Sequence, residues 1–175
     1  KQTPGLMIDL VQVIPGKEYG VMHRQNRSEN EVVVVVKPWS DEKKPVLKEQ
    51  YRKAIEDYIE PYRLINTKVT VESARYAGIC VHGKIALDQD SPKTRKAVLE
   101  RISRELSYTE RKHPFGTVIS YGQLFTALEN TEGVKKVLEL NLERTGNAAR
   151  KNDRGDVLLE ADALGILEET DLEFC

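Results

Sequence analysis

Two residues of reactive type, Cys80 and His82, stand two positions apart in a segment of alternating apolar and polar residues. Side chains at this spacing on a strand point to the same face, so a thiol–imidazole nucleophile or half of a metal site is chemically conceivable. No other Cys or His is close in sequence, and Lys84 shares their polar side. We therefore interpret the pair as part of a half-exposed strand surface, and we predict no catalytic, cofactor-binding or metal-binding residue.

The other short motifs give no stronger indication of chemistry. His23 and His113 form no H-E-x-x-H spacing, and neither G-x-x-x-x-G-K nor G-x-G-x-x-G occurs. No pair of carboxylates sits among apolar residues, where a raised pKa would be expected. The sequence 154–156 is the Arg-Gly-Asp tripeptide of some extracellular ligands, but a glycine between two charges is also typical of an ordinary turn.

Charge is unevenly distributed along a chain whose 27 basic and 28 acidic residues nearly balance. Residues 93–112 carry seven basic side chains that Glu100, Glu105 and Glu110 interrupt, with no interleaved aromatics of a base-stacking surface. A solvated helix face is the default interpretation, and we expect no nucleic-acid partner.

Residues 156–173 contain many acids and no Lys or Arg. As a hypothesis, these two segments favour head-to-tail docking between copies or onto a partner. The basic residues are Lys93, Arg95, Lys96, Arg101, Arg104, Arg111 and Lys112, and the acidic residues are Asp156, Glu160, Asp162, Glu168, Glu169, Asp171 and Glu173.

The elements that position these residues are best patterned between Glu31 and Leu87. Five consecutive valines at 32–36 predict a strand that is buried on both faces and central in a sheet, and Pro38 ends its pairing. A helix at 45–60 follows, opened by Pro45 and carrying an apolar stripe at helical period. Two further strands at 67–73 and 76–88 complete what we interpret as a half-sandwich with one helix buried on one sheet face.

The whole pattern predicts an α+β fold of mixed, mainly antiparallel sheets, with amphipathic helices packed on one face and two similar α/β lobes. The predicted first lobe is 1–75, with strands 6–14, 31–37 and 67–73 and helix 45–60. The predicted second lobe is 76–175, with strands 76–88, 134–142, 156–160 and 166–172 and helices 92–107 and 120–130.

Four local expectations accompany this assignment. Residues 20–30 are expected to form a loop or a weakly paired strand, and residues 145–155 a polar loop. Gly133 is expected to cap the end of the helix at 120–130. Leu138, Leu140 and Leu142 are expected to share one face of their strand.

Composition sets broader limits on the class of protein. The 175 residues, 39% hydrophobic and 31% charged, are typical of a soluble protein large enough to bury its own core. No apolar run approaches the ~18 residues of a membrane span, so no membrane partner is expected. Two distant cysteines indicate a reducing compartment. The sequence shows no apolar leader, and we interpret it as a fragment of a longer protein.

Several short sequence motifs, taken in their order along the chain, resemble the C-terminal part of the baseplate J-like family. This family includes baseplate assembly proteins of contractile phage tails and related injection systems. The resemblance covers roughly residue 6 to the C-terminus. The motifs on which the resemblance is based are residues 32–38, 58–64, 67–71, 76–79, 116–124, 133–142 and 158–172.

The resemblance implies a structural wedge component without catalytic residues or cofactors. Such a protein would pack against copies of itself and other baseplate proteins, first in the bacterial cytoplasm and then in the virion or tail-like particle. Two alternatives stay open: a small-ligand-binding α+β regulatory domain, and an enzyme that uses Cys80 with His82.

Overall fold

The computed structural model describes residues 7–108 and 114–175 and confirms the predicted α+β fold. The chain divides into two compact units, Lys1–Arg75 and Tyr76–Cys175. The described residues form four α-helices and nine strands, and the strands are arranged in three sheets of three strands each.

The first unit is built on one mixed sheet with the strand order β1-β2-β3. β1 and β2 are antiparallel, whereas β2 and β3 are parallel and are joined by the crossover that contains α2. The valine run is the central strand, as predicted, and Val33 and Val35 are fully buried. The elements are β1 (Ile8–Pro15), α1 (Gly16–His23), β2 (Glu31–Pro38), α2 (Glu49–Ile59), a 3-10 turn (Glu60–Tyr62) and β3 (Lys68–Ser73).

The helix predicted at 45–60 begins later than its apolar stripe suggested. α2 starts at Glu49, and Pro45 lies before it in non-helical chain. Leu47 nevertheless fills the core beside Val36, Ile55 and Val71, and its N–H donates to Ser73 Oγ at 3.0 Å. The predicted helix start was therefore wrong, and an extended residue fills the layer instead. The apolar stripe was only partly a list of core residues: Leu47 and Ile55 are buried, whereas Tyr58 and Tyr62 at its C-terminal end are exposed.

The expectation of a loop or weak strand at residues 20–30 is wrong for its first part, since α1 runs from Gly16 to His23. A β-carbon on Gly16 would lie 2.6 Å from Glu31 Cβ, and one on Gly20 would lie 2.6 Å from the Gln25 carbonyl oxygen. Both glycines are thus required by close approach. Glycines also lower helix propensity, so local sequence does not favour a helix at these residues.

The second unit has a sheet of order β6-β4-β9 and a smaller sheet of order β5-β8-β7. β4 is the middle strand of the first of these and pairs antiparallel with β6. The half-sandwich predicted for residues 31–87 is therefore wrong in one respect, because β4 belongs to a different sheet from β2 and β3. The elements are β4 (Arg75–Leu87), α3 (Pro92–Leu106), β5 (Val118–Ile119), α4 (Tyr121–Glu129), β6 (Val134–Thr145), β7 (Ala149–Lys151), β8 (Val157–Leu159) and β9 (Ala163–Phe174).

Both helices of this unit begin after a serine that caps their first turn. Ser91 accepts a hydrogen bond from Thr94 N–H at 3.1 Å, and Ser120 accepts one from Gln123 N–H at 3.4 Å. Apolar side chains of α3 and α4, among them Val98, pack with β4, β6 and β8 in one core. Gly133 is not the cap of α4, whose capping residue is Asn130. It instead adopts a φ of +85° in the turn before β6.

Two strand details of the second unit differ from the expectations. β4 residues 84 and 85 pair with Glu139 and Val137, so Leu138 is an extra residue that bulges and is 47% exposed. It therefore does not share the buried face of Leu142. Residues 145–155 are not all loop, because β7 lies within them and pairs with β8.

Candidate interaction surface

The structure places Cys80 and His82 side by side on β4 but gives them different surroundings. Cys80 is buried at 8% exposure, not half-exposed as predicted, while His82 is half-buried. The Oδ2 atom of Asp171 lies 3.9 Å from the imidazole Nδ1, a distance too long for a hydrogen bond. The pair therefore lacks the oriented base that a nucleophilic thiol requires.

Electrostatics act against a reactive thiol at this position. Burial raises the pKa of Cys80, and the negative charges of Glu169, Glu168 and Glu143 raise it further. Since the thiolate is the nucleophile and the metal ligand, this environment keeps Cys80 in its unreactive form.

The other histidines do not assemble a site in the described part of the chain. The ring of His23 stacks on Tyr19 with the two centroids 4.1 Å apart. His113 lies outside the described residues. Across residues 7–108 and 114–175, no three His, Cys, Asp or Glu side chains come close enough together to hold a metal ion.

The Arg-Gly-Asp sequence forms a tight turn that Asn152 organises. The Asn152 Oδ1 accepts hydrogen bonds from the N–H groups of Arg154 and Asp156, each at 2.9 Å. Gly155 has a φ of +86° and lies against the ring of Tyr121. The Asp156 carboxylate accepts a bond from Tyr121 N–H at the start of α4. The tripeptide is thus held by internal contacts.

Much of the segregated charge is also engaged within the chain. Arg95 donates to Asp90 at 2.6 Å and lies over the Phe174 ring at 5.2 Å. Lys84 pairs with Glu173 at 2.9 Å. Of the predicted basic segment, Arg111 and Lys112 lie outside the described residues, as does Glu110.

A polar network that the sequence did not reveal centres on Arg27. Its guanidinium donates to Glu31 at 3.1 Å and to Thr70 at 2.9 Å, and it lies over the Tyr19 ring. Burial alone would raise the pKa of Glu31, but the hydrogen bond and charge of Lys68 and the charge of Arg27 outweigh it and lower that pKa. The network ties the connection after α1 to the sheet, and only the fold brings residues 27 and 70 together.

Exposed apolar surface is concentrated in the first unit. Among the described residues, three large exposed apolar side chains belong to the second unit, namely Leu99, Val118 and Leu138. Those of the first unit are Met7, Ile8, Val11, Val13, Val21, Trp39, Val46, Tyr58, Tyr62, Leu64 and Ile65. A surface that exposes this much apolar area is typical of a protein-binding site.

Part of this surface is a groove beside the N-terminal end of β1. It has a volume of about 380 Å³ and is open to solvent. Its lining combines polar groups with apolar and aromatic side chains, among them Met7, Trp39, Val46 and Tyr51. We refer to these residues together with Ile8, Val11 and Val13 of β1 as the β1 surface.

In the described ranges, no helix has the length and apolar character needed to cross a bilayer.

No protein-family model matches the chain, and no curated protein matches it either. Among solved structures, the chain is similar to one described as the cryo-EM structure of the anti-feeding prophage baseplate, 6-fold symmetrised. The TM-score is 0.58 at 14% sequence identity, over 81% of this chain and 29% of that chain. The present chain therefore spans less than a third of that neighbour's length. The similarity shows a shared fold over most of this chain.

Proposed function

We propose that this chain is a structural component of the baseplate of a contractile tail or a tail-like injection machine, acting through protein–protein interfaces. The observation that carries the proposal is the similarity in fold to the anti-feeding prophage baseplate over 81% of the chain. The baseplate J-like family, which the sequence resembles, has the same structural role. That resemblance is independent support, because it is based on short sequence motifs and not on the fold.

The surface chemistry supports a role in assembly. Apolar side chains as exposed as Ile65 (92%) and Val21 (78%) are costly to leave in water and gain free energy when a partner covers them. Cys80, by contrast, has the raised pKa of an unreactive thiol. The proposed partners are other baseplate proteins and copies of this chain, and the proposed location is the baseplate of the finished particle.

Co-expression with the tail proteins encoded beside its gene tests the proposal. We expect a stable complex that elutes as one species in size-exclusion chromatography and whose mass by light scattering fits whole-number stoichiometry. A tail protein from an unrelated contractile particle serves as the control and should stay separate. Elution of the chain alone, with every neighbouring tail protein tried, would refute the structural role.

A matched substitution separates assembly from catalysis. Cys80→Ala removes the one thiol that an enzymatic interpretation needs, while the small side chain fits the buried site. We expect the complex to form with unchanged stoichiometry. Loss of a turnover activity in this variant, with assembly intact, would instead favour the Cys80–His82 enzyme.

A further inference from the structure

The two edges of the first sheet differ. At β3, the side chain of Glu56 on α2 accepts a hydrogen bond from Val71 N–H at 2.9 Å, so this edge is already occupied by a side chain. At the other edge, β1 pairs with β2 and with no other strand in the described residues. The β1 edge is therefore the more accessible of the two for a further strand.

The backbone of β1 presents hydrogen-bonding groups at this open edge. Pro15 lies opposite Val32 and has no N–H to donate, so it occupies a position whose backbone faces away from β2. Alternate residues of an antiparallel strand face the same way. Val11 and Val13 therefore direct their N–H and carbonyl groups outward.

Between its β-bulge near Asp9 and its terminal Pro15, β1 carries none of the side chains that natural edges use against pairing. Ile8, Val11 and Val13 are 43%, 50% and 58% exposed, and no lysine stands on the strand. Asp9 is its only charged residue and pairs with the buried Lys37. An edge that is apolar and whose one charge is neutralised within the sheet is a template for another strand.

From this geometry we infer that β1 accepts an extended, uncharged, β-branched segment of another polypeptide as a fourth strand of the sheet. The inference rests on the proposed function in that the other polypeptide is a baseplate protein. Charge complementarity defines the segment, because Asp9 and Lys37 cancel and a charged strand would gain no counter-ion at this edge. Main-chain hydrogen bonds supply affinity, and the row Ile8, Val11 and Val13 selects apolar side chains.

A peptide probe tests the edge without any partner protein. The probe is an end-blocked Thr-Val-Thr-Val-Thr-Val peptide, and its control is the same peptide N-methylated at alternate residues, which cannot pair on one side. We expect the probe to slow hydrogen exchange at the Val11 and Val13 amides of the full chain by about tenfold. The methylated peptide should leave these rates unchanged.

Paired variants make the result specific to β1. Val11→Lys/Val13→Lys places gatekeeper charges on the edge and should abolish the protection, whereas Leu138→Lys changes an equally exposed apolar residue of the second unit and should retain it. Absence of protection in the wild type, or equal protection in the double variant, would overturn the inference. Protection that grows with chain concentration without probe would identify a second copy as the occupant and would also overturn it.

The complex from co-expression separates this inference from the proposed function. If the complex forms and the Val11 and Val13 amides still exchange freely, the inference is wrong and the structural role stands. If only the valine side chains are shielded, a helix covers them and the inference is likewise wrong. If no complex forms, the structural role is refuted, and the peptide experiment alone decides the inference.

Discussion

At the scale of single residues, the decisive feature of Cys80 is its environment. Reactive cysteines are accessible to solvent and lie near positively charged groups that stabilise the thiolate. Cys80 is instead buried near the carboxylates of Glu169, Glu168 and Glu143. Identity and spacing made it a candidate nucleophile, and only the fold shows that the charges around it have the wrong sign.

Thiol labelling at neutral pH checks this directly, because the chain contains its own control. Cys175 is exposed and should react at the rate of an ordinary thiol, while Cys80 should react at least about a hundredfold more slowly, at a rate set by local opening. Mass spectrometry of the labelled peptides gives both rates. Faster labelling at Cys80 than at Cys175 would contradict the structural interpretation and revive the enzymatic one.

Asn152 is the residue on which the Arg-Gly-Asp turn depends. Asn152→Ala removes the acceptor for two backbone N–H groups and a donor to Asp156, so we expect it to lower the free energy of unfolding by about 1–2 kcal/mol. Denaturant titration measures the loss. Asp153→Ala in the same exposed turn is the control and should stay within about 0.5 kcal/mol of the wild type.

The same turn gives a pH dependence with a defined sign. The Asn152 amide, with help from Tyr121 N–H, holds the pKa of Asp156 below its ordinary value of 3.8. A depressed carboxylate pKa stabilises the fold above the unfolded-state value, and this contribution is lost as the pH falls below about 3.8 toward the folded-state pKa. The thermal midpoint of Asn152→Ala should therefore change less between pH 5 and pH 3 than that of the wild type. Parallel curves would show that Asn152 does not set this pKa.

At the scale of elements, periodicity succeeded where local pattern and tertiary packing agree. The valine run is apolar at every position instead of alternating with polar residues. Such a run is buried on both faces when it forms a central strand, and this is where β2 lies. Helices α3 and α4 carried apolar stripes behind serine caps, and both were found. Leu138 was misplaced because a bulge shifts which side chains face the core, and residue types do not record a bulge.

Helix α1 shows what the sequence could not provide. Its glycines are needed for contacts with residues that follow it in the chain, and a propensity argument reads them only as helix breakers. The β1 surface could not be predicted from the sequence either, because it too depends on tertiary contacts. Val11 and Val13 look like core residues in the sequence, and only the sheet order and the position of α2 show that they are exposed.

Two glycine substitutions in different helices should have opposite signs. Gly16→Ala puts a β-carbon within 2.7 Å of the Glu31 backbone oxygen and should destabilise the protein by about 1–3 kcal/mol. Gly122→Ala in α4 meets only Ser120 Oγ, at 3.9 Å, and should stabilise it by up to about 1 kcal/mol through the better helix propensity of alanine. Denaturant unfolding of both variants gives the comparison. Equal effects would mean that α1 does not pack as described.

At the scale of the whole molecule, two kinds of surface compete as the basis of assembly. The sequence drew attention to segregated charge, and the structure adds an apolar β1 surface. Several of the charged side chains already have internal partners, among them Arg95 with Asp90 and Lys84 with Glu173. Covering such solvent-exposed ion pairs would remove their remaining hydration and cost free energy, whereas covering exposed valines gains free energy.

Salt dependence distinguishes these two bases for assembly. Apolar burial and backbone pairing are little affected by ionic strength, while docking of a basic helix onto an acidic segment weakens steeply as salt screens it. With a formal net charge of −1, the chain has no large net charge to steer a partner. We therefore expect the dissociation constant of the co-expressed complex to change by less than about threefold between about 0.05 M and 0.5 M NaCl. Arg104→Glu, on α3, should leave it equally unchanged. An increase of tenfold or more in the dissociation constant at high salt, with a similar increase in the Arg104→Glu variant, would contradict this expectation. It would show that the interface lies on the charged segments of the second unit and not on the first unit.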